Sequence, residues 1–436
     1  MSKVIKKSKN TYWFLIDDKY YIFNSQTLKM FEVEKTYIDA INKDRTSTED
    51  QLSEIDNELN SNGFLVDDNT YENPVADRIQ RYETASKADK SSISYLRISL
   101  TEKCNMACKY CFVNHEFGEQ KETMSRERFL NIMNDFVSHN EGNNVSIQYF
   151  GGEPLLRMDL IELGNSILKN AVSEGKITSV YQEIVTNGTL IDEDKIAYFN
   201  ESDIKITISL DGRLEVNDIN RVFANGQGTF MAATRYCEMF RKVNGYLSVL
   251  LTPNDDNIGI LSQSIQYLVE HLGVTEVSIN APQPCEGGWE SDGAVLAREI
   301  QKSILYCKEK GISFNSPANN MLYLLQHHEL QRYSCMNFSR EDTINIYGVY
   351  IGSDGTISNC VVKKSNERYT CFDDALNDIL EKNWAFHPST LSKCTHCPLM
   401  NVCGGSCKIE QHICKGGYNP EKCKFMLSML QWVLTT

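Results

Sequence analysis

The sequence predicts an α/β protein built on a parallel sheet or a barrel-like part of one, with a small α+β domain before it and a loop-rich, cysteine-rich region after it. Three observations lead there. Six strand-like runs alternate with amphipathic helical runs between residues 93 and 282, the rhythm of a parallel sheet or part of a barrel. Turn motifs follow four of those strands directly, on the rim where such sheets hold ligands. All 15 cysteines stand at or after Cys104, and seven of them fall between Cys371 and Cys423.

The 436 residues allow two to four domains at roughly 100–200 residues each. The chain is 41% hydrophobic with a net charge of −14, so it can bury a large core and lacks the basic face that nucleic acid or an anionic membrane would need. The opening "MSKVIKKSKNTYWF" has no apolar region or cleavage site of a signal peptide, and no run of about 18 apolar residues follows. The expectation is a cytoplasmic protein, where clustered cysteines bind metal rather than pair as disulfides.

Element by element, "YWFLIDDKYYIFNSQTLKMFEV" reads as two or three short strands broken by Asp-Asp-Lys and Asn-Ser. "EKTYIDAINKD" and "STEDQLSEIDNELNSNGFL" read as helices, the second capped at Ser47 or Thr48 and stopped at Gly63. This gives a first domain over 1–67 and a polar linker with a helical middle over 68–92. The barrel runs over 93–314, its strands being "ISYLRISL", "NVSIQYFG", "YQEIVTNG", "IKITISLDG", "YLSVLLTP" and "EVSINAP". From about 315 to 436 the rhythm stops and cysteine-rich loops take over.

The chemistry starts at "TEKCNMACKYCFVN", where Cys104, Cys108 and Cys111 are spaced C-x3-C-x2-C just after the first barrel strand. Soft thiolates favour zinc, copper(I) or iron–sulfur clusters. A structural zinc site wants four ligands, and His115 reads better as a cap or surface residue. A [4Fe–4S] cluster on three cysteines keeps one iron open. "CNMACKYC" followed by "FGGEP" resembles the signature of the radical SAM enzymes. The resemblance implies a partial (β/α)6 barrel, in agreement with the six strands, and it implies that the open iron chelates S-adenosylmethionine and that a 5′-deoxyadenosyl radical results. It implies roles by position: Cys104, Cys108 and Cys111 as cluster ligands, Tyr110 against adenine, and Gly151 and Gly152 for close approach to the methionyl group. Glu153 would meet its ammonium, Ser209 and Asp211 the ribose, and Arg221 the methionyl carboxylate, with Asn187 of "TNG" on the same rim. For Asn187, Ser209 and Asp211 ordinary turn chemistry is the competing reading.

A second set of thiols, Cys394, Cys397, Cys403 and Cys407, is spaced C-x2-C-x5-C-x3-C, with Cys335, a G-x4-C from Gly355 to Cys360, and Cys423 around it. This resembles the SPASM domain, which implies two auxiliary [4Fe–4S] clusters and three in all. One would take Cys335, Cys360 and Cys407, the other Cys394, Cys397, Cys403 and Cys423. "CMNFSREDT" supplies no further cysteine near Cys335, which leaves that cluster an open iron or a loan from Cys371 or Cys414. Cys237, Cys285 and Cys307 read as core residues, and His327 and His328 as solvent and core residues.

The first domain resembles, in pattern, the winged-helix-like precursor-recognition element of peptide maturases of the sactipeptide and ranthipeptide type. The resemblance implies a ribosomally made precursor peptide gripped by strand addition, an external electron donor of flavodoxin or ferredoxin type, and a thioether or other crosslink as product. Anaerobic sulfatase maturation is one rival, but its Asp after the G-x4-C cysteine is replaced here by Val361, Val362, Lys363 and Lys364. Peptide epimerisation, an iron–sulfur electron carrier and a zinc-ribbon module complete the alternatives.

Overall fold

The computed structural model describes residues 5–43, 52–86, 90–111, 113, 121–280, 291–330, 338–341, 344–361, 368–382, 392–403, 405, 414 and 417–436. Its first strands are β1 (Ile5–Lys7), β2 (Thr11–Ile16), β3 (Lys19–Asn24), β4 (Met30–Val33) and β5 (Leu65–Asp67). β2, β3 and β4 form an antiparallel meander, while β1 pairs with β5. Helices Lys35–Asn42 and Glu54–Ser61 pack on them around Ile5, Ile22, Ile38, Ile41, Leu59 and Phe64. The second helix starts later than the sequence suggests. Its cap is Ser53, which exchanges side-chain and backbone hydrogen bonds with Asp56, a reciprocal box that satisfies two orphan donors. Ser47 and Thr48 lie outside the described residues. Gly63 ends the helix at φ +80°, where a left-handed turn favours glycine.

The six predicted barrel strands are all present: β6 (Lys90–Thr101), β7 (Asn144–Gly151), β8 (Ser179–Thr186), β9 (Ile204–Ser209), β10 (Ser248–Leu251) and β11 (Glu276–Ile279). Together with β12 (Ser313–Asn315) they lie side by side in chain order, each parallel to the next. Alternation sets their outer faces. Leu96, Ile98, Leu100, Ile147, Tyr149, Ile184, Ile206 and Val249 are wholly buried and share one core with Phe129, Met133, Phe136, Leu160, Ile161 and Leu168 of the covering helices.

The sheet does not stop at β6. The C-terminal region contributes β14 (Ile344–Ile351), which runs parallel to β6 from Ile344 opposite Lys90 to Ile351 opposite Ile98. β13 (Phe338–Glu341), β15 (Ile357–Ser358) and β16 (Arg368–Tyr369) continue it antiparallel. The helix Pro74–Ser86 lies in the stretch read as a linker. Its Arg78 is fully buried and donates to the Cys403 carbonyl at 3.1 Å. Arg81 donates to Asn401 Oδ1, and Asn401 Nδ2 donates to the Ser25 carbonyl at 3.0 Å. One buried asparagine thus joins the first domain, the connecting helix and the cysteine turn after residue 394.

The turn leaving β7 docks on the turn leaving β6. Gly152 N–H donates to the Thr101 carbonyl at 2.8 Å and Glu153 N–H to the Lys103 carbonyl at 3.0 Å. A Cβ on Gly151 would stand 2.2 Å from the Thr101 oxygen, and one on Gly152 would stand 2.4 Å from the Lys103 oxygen. The glycines therefore admit another stretch of this chain's own backbone, whatever else approaches them. Gly152→Ala is expected to unseat this docking and lower stability by about 1–3 kcal/mol, the usual range for overpacking. Urea unfolding checks this, and an unchanged midpoint would refute the account.

Candidate functional site

The cysteine loop leaves β6 at the carboxyl ends of the parallel strands and is held on three sides. The β7 turn holds the first side, as above. On the second, Ala107 N–H donates to the Val222 carbonyl at 2.7 Å and Lys109 N–H to the Asn220 carbonyl at 3.0 Å, and Met106 bridges to Phe223. On the third, Asn187 at the β8 exit donates to Asn105 Oδ1 at 2.9 Å and to Cys104 Sγ at 3.8 Å. Thr189 locks the Asn187 amide by donating N–H and hydroxyl to its Oδ1 at 2.9 and 2.7 Å.

Glu153 is wholly buried. Its Oε1 accepts from the Thr186 hydroxyl at 2.7 Å and Leu155 N–H at 3.0 Å, and its Oε2 from Asn187 N–H at 2.8 Å. Burial raises its pKa, while those three donors pull the other way. The side chain ties the β7 and β8 exits together, a role additional to the ligand contact that the resemblance implies.

Asp211 and Arg221 form a buried pair. Arg221 Nε donates to Asp211 Oδ2 at 2.9 Å and its Nη2 to Oδ1 at 3.1 Å, the two-pronged match of guanidinium and carboxylate. Thr252 N–H adds 3.0 Å to Oδ1, and Tyr110 donates its hydroxyl to Oδ2 at 2.5 Å. Burial alone would depress the guanidinium, and Asp211, Tyr110 and Cys108 together more than reverse this. The Tyr110 ring lies under the Arg221 cation at 5.4 Å, and burial holds its hydroxyl well above its ordinary range. Ser209 stands half-buried at the end of β9 on the same rim. The structure thus brings Tyr110, Asp211 and Arg221 into one unit below the loop. The Tyr110 hydroxyl and both Asp211 oxygens are already occupied.

The three thiols are half-buried. Burial pushes Cys104 up to about 11 and Cys108 up to about 12. The neighbouring thiols add to both shifts, and the Arg221 charge opposes the second. Among the described residues no three His, Cys, Asp or Glu side chains gather as one metal ion would gather them. Three thiols spread over one loop suit a larger iron–sulfur unit, one thiolate to each of three irons, and a bound metal deprotonates such thiols outright.

Further down the chain Cys394 and Cys397 each feel Cys403 and Cys423. Burial pushes Cys394 up to about 11 and Cys397 to about 12. Cys423 lies in the first turn of the helix Pro420–Thr435. Cys360 is half-buried after β15. Its expected companions Cys335 and Cys407 lie outside the described residues, as do His115 and Cys285. Cys237 and Cys307 are buried in the core and Cys371 is exposed. His327 is exposed and stacks on Tyr323 with ring centres 4.1 Å apart.

Comparison with known proteins agrees with this arrangement. The model of the radical SAM superfamily matches residues 98–259. The radical SAM cyclopropyl synthase TigE of Paramaledivibacter caminithermalis is 25% identical over 247 residues, covering 52% of this chain and 50% of its own. A cysteine-type anaerobic sulfatase-maturating enzyme of Clostridium perfringens is 27% identical over 172 residues, covering 38% of this chain and 46% of its own. The chain spans about half the length of these two curated relatives. Among solved structures, anSMEcpe with bound AdoMet superposes with a TM-score of 0.64 at 18% identity, covering 78% of this chain and 97% of that one. Streptococcus suis SuiB bound to S-adenosylmethionine superposes at 0.56 and 17%, covering 96% of this chain and 99% of that one. The cysteine loop, the docked glycine turn and the strands β7 to β10 thus lie within the stretch that matches the radical SAM superfamily, and residues 98–259 of the chain are a radical SAM domain.

Proposed function

We propose that this protein is a peptide maturase that modifies a ribosomally made precursor through a 5′-deoxyadenosyl radical, installing a thioether or another intramolecular crosslink. The observation that carries this reading is the first domain. SuiB, which has been solved with the precursor peptide SuiA, superposes over 96% of the chain, whereas anSMEcpe leaves about a fifth of it unmatched. In that domain β4 is the edge of its sheet among the described residues. Beside it lies a groove of about 510 Å³ floored by Ile22, Val33, Ile55, Leu59 and Phe64. Phe31 stands 45% exposed at its lip, and Glu32, Glu34 and Glu58 rim it. A free strand edge beside an apolar groove suits an extended peptide that adds a strand, and the acidic rim suits one with basic residues next to its apolar anchors.

Cys104, Cys108 and Cys111 would hold a [4Fe–4S] cluster whose open iron binds S-adenosylmethionine and which, when reduced, releases the radical. Asn187 steadies the Cys104 sulfur and, with Glu153, keeps the loop in register over the strand ends. Tyr110 and the Asp211–Arg221 pair form a dry wall below it, which keeps water from the reacting atoms. Cys394, Cys397, Cys403 and Cys423 would hold one auxiliary cluster, and Cys335, Cys360 and Cys407 a second.

In thioether formation one peptide C–H and one S–H are lost and one C–S bond forms. The carbon's hydrogen atom would leave in 5′-deoxyadenosine, the thiol proton would go to solvent, and the one remaining electron would need an acceptor, which an auxiliary cluster held by these cysteines would supply. A crosslinked precursor is therefore two mass units lighter. The reconstituted enzyme, incubated with reductant, S-adenosylmethionine and the peptide encoded beside its gene, is expected to give that loss; an unchanged mass refutes crosslinking. Replacing Cys104, Cys108 and Cys111 together with Ala is expected to lower 5′-deoxyadenosine formation at least a hundredfold by chromatography; retained formation would refute the cluster assignment. Phe31→Asp is expected to weaken precursor binding at least tenfold by fluorescence anisotropy, and unaltered affinity would remove the groove from the account.

A further inference from the structure

Inside the barrel the strands carry a polar row. Tyr350 on β14, Arg97 on β6, Gln148 on β7, Glu183 on β8 and Lys205 on β9 stand opposite one another in register. Layers inside such barrels are ordinarily filled by bulky branched apolar side chains. Most of this row is internally matched. Gln148 donates to Glu183 Oε1 at 2.6 Å, the Tyr181 hydroxyl reaches Glu183 Oε2 at 3.4 Å, and Lys205 pairs with Glu276 of β11 at 2.6 Å.

Arg97 is the exception. Among the described residues its one hydrogen bond runs from Nη2 to the Tyr95 hydroxyl at 3.5 Å, the far limit of such a bond. No carboxylate among the described residues pairs with it, and its Nε is buried without an acceptor. The guanidinium lies over the Phe150 ring at 5.5 Å, and Phe150 stands edge-on to Tyr350 at 6.3 Å. A cation with five donors, walled by aromatic rings and left almost unused, is costly to maintain. It stands four residues before the end of β6, about 13 Å below the rim that launches the cysteine loop.

We propose that Arg97 is a specificity-determining residue that takes a carboxylate of the peptide substrate, from an acidic side chain or from the chain's C-terminus, and so sets which residue comes to rest beneath the loop. The inference rests on the reading that a peptide enters the barrel. The planar fork matches a carboxylate, and the flat aromatic walls suit a flat ligand. Glu183 in the same row disfavours a multiply charged group such as phosphate, for which a single cation would not compensate.

The test uses the full chain, reconstituted with iron and sulfide, and three fluorescein-labelled probes read by anisotropy: Gly-Gly-Asp-Gly-Gly amide, its Asn counterpart, and pentaglycine with a free C-terminal carboxylate. At least one carboxylate probe is expected to bind ten times more tightly than the Asn amide. The Asp probe leading identifies a side-chain carboxylate, and the free-acid probe leading identifies the terminus. Arg97→Gln is expected to reduce that preference to less than twofold, and Arg97→Lys to keep part of it. A role in packing against Phe150 would move stability and leave the preference intact, which overturns the proposal. Equal binding of all three probes by the wild-type chain, or no binding of either carboxylate probe at millimolar concentration, overturns it without recourse to any variant. 5′-Deoxyadenosine release by the wild-type chain is measured alongside. Release without a carboxylate preference retires the Arg97 proposal alone, whereas no release retires the radical reading itself.

Discussion

The site depends on a carboxylate that never meets solvent. Glu153 joins the exit of β7 to that of β8 through three donated hydrogen bonds, and its own N–H reaches back to the exit of β6. Burying such a group is unfavourable unless its lone pairs are filled, and here neutral donors fill them. The strand ends are therefore spaced by a single side chain, and the cysteine loop inherits that spacing. One buried side chain thus sets the frame of the whole rim.

Asp211 and Arg221 repeat the design one strand further along. Removing one partner from a buried ion pair costs about 3–5 kcal/mol, because the other charge is left uncompensated. Their position brings a fixed positive charge to Cys108, and Arg78 does the same for Cys394. In both places a buried arginine opposes, without cancelling, the upward push that burial gives a thiol. Each arginine comes from an element other than the loop it serves, so loop and charge arrive together only in the finished fold.

All six barrel strands were legible in the sequence, since alternation and turn signals agree along them. β12 has three residues and β14 pairs with a strand about 250 positions away, so neither leaves a local signal of where it belongs. The glycines of "FGGEP" read as room for a ligand, and the fold gives them a further reason to lack a side chain, since a Cβ on either would meet the backbone of the preceding loop. Only the folded chain shows this. Arg97 stayed hidden for a related reason. In "ISYLRISL" its polar alternation looks like a solvent face, and nothing local distinguishes solvent from the inside of a barrel. The cap at Ser53 was missed because Ser47, Thr48 and Ser53 all precede the same helical pattern, and the reciprocal bond with Asp56 decides among them.

The pairing of β14 with β6 also governs the order in which the molecule can be completed during synthesis. The strand that launches the cysteine loop has neighbours on both sides, and the second is not made until Ile351 has been added. For the intervening 250 residues β6 is an open sheet edge, the kind of surface that recruits unwanted strands. The site is thus framed on one side by early strands and closed on the other by one of the last. A ribosome that stalls before residue 344 would leave a chain with every residue of the cysteine loop in place and an unprotected edge beside it.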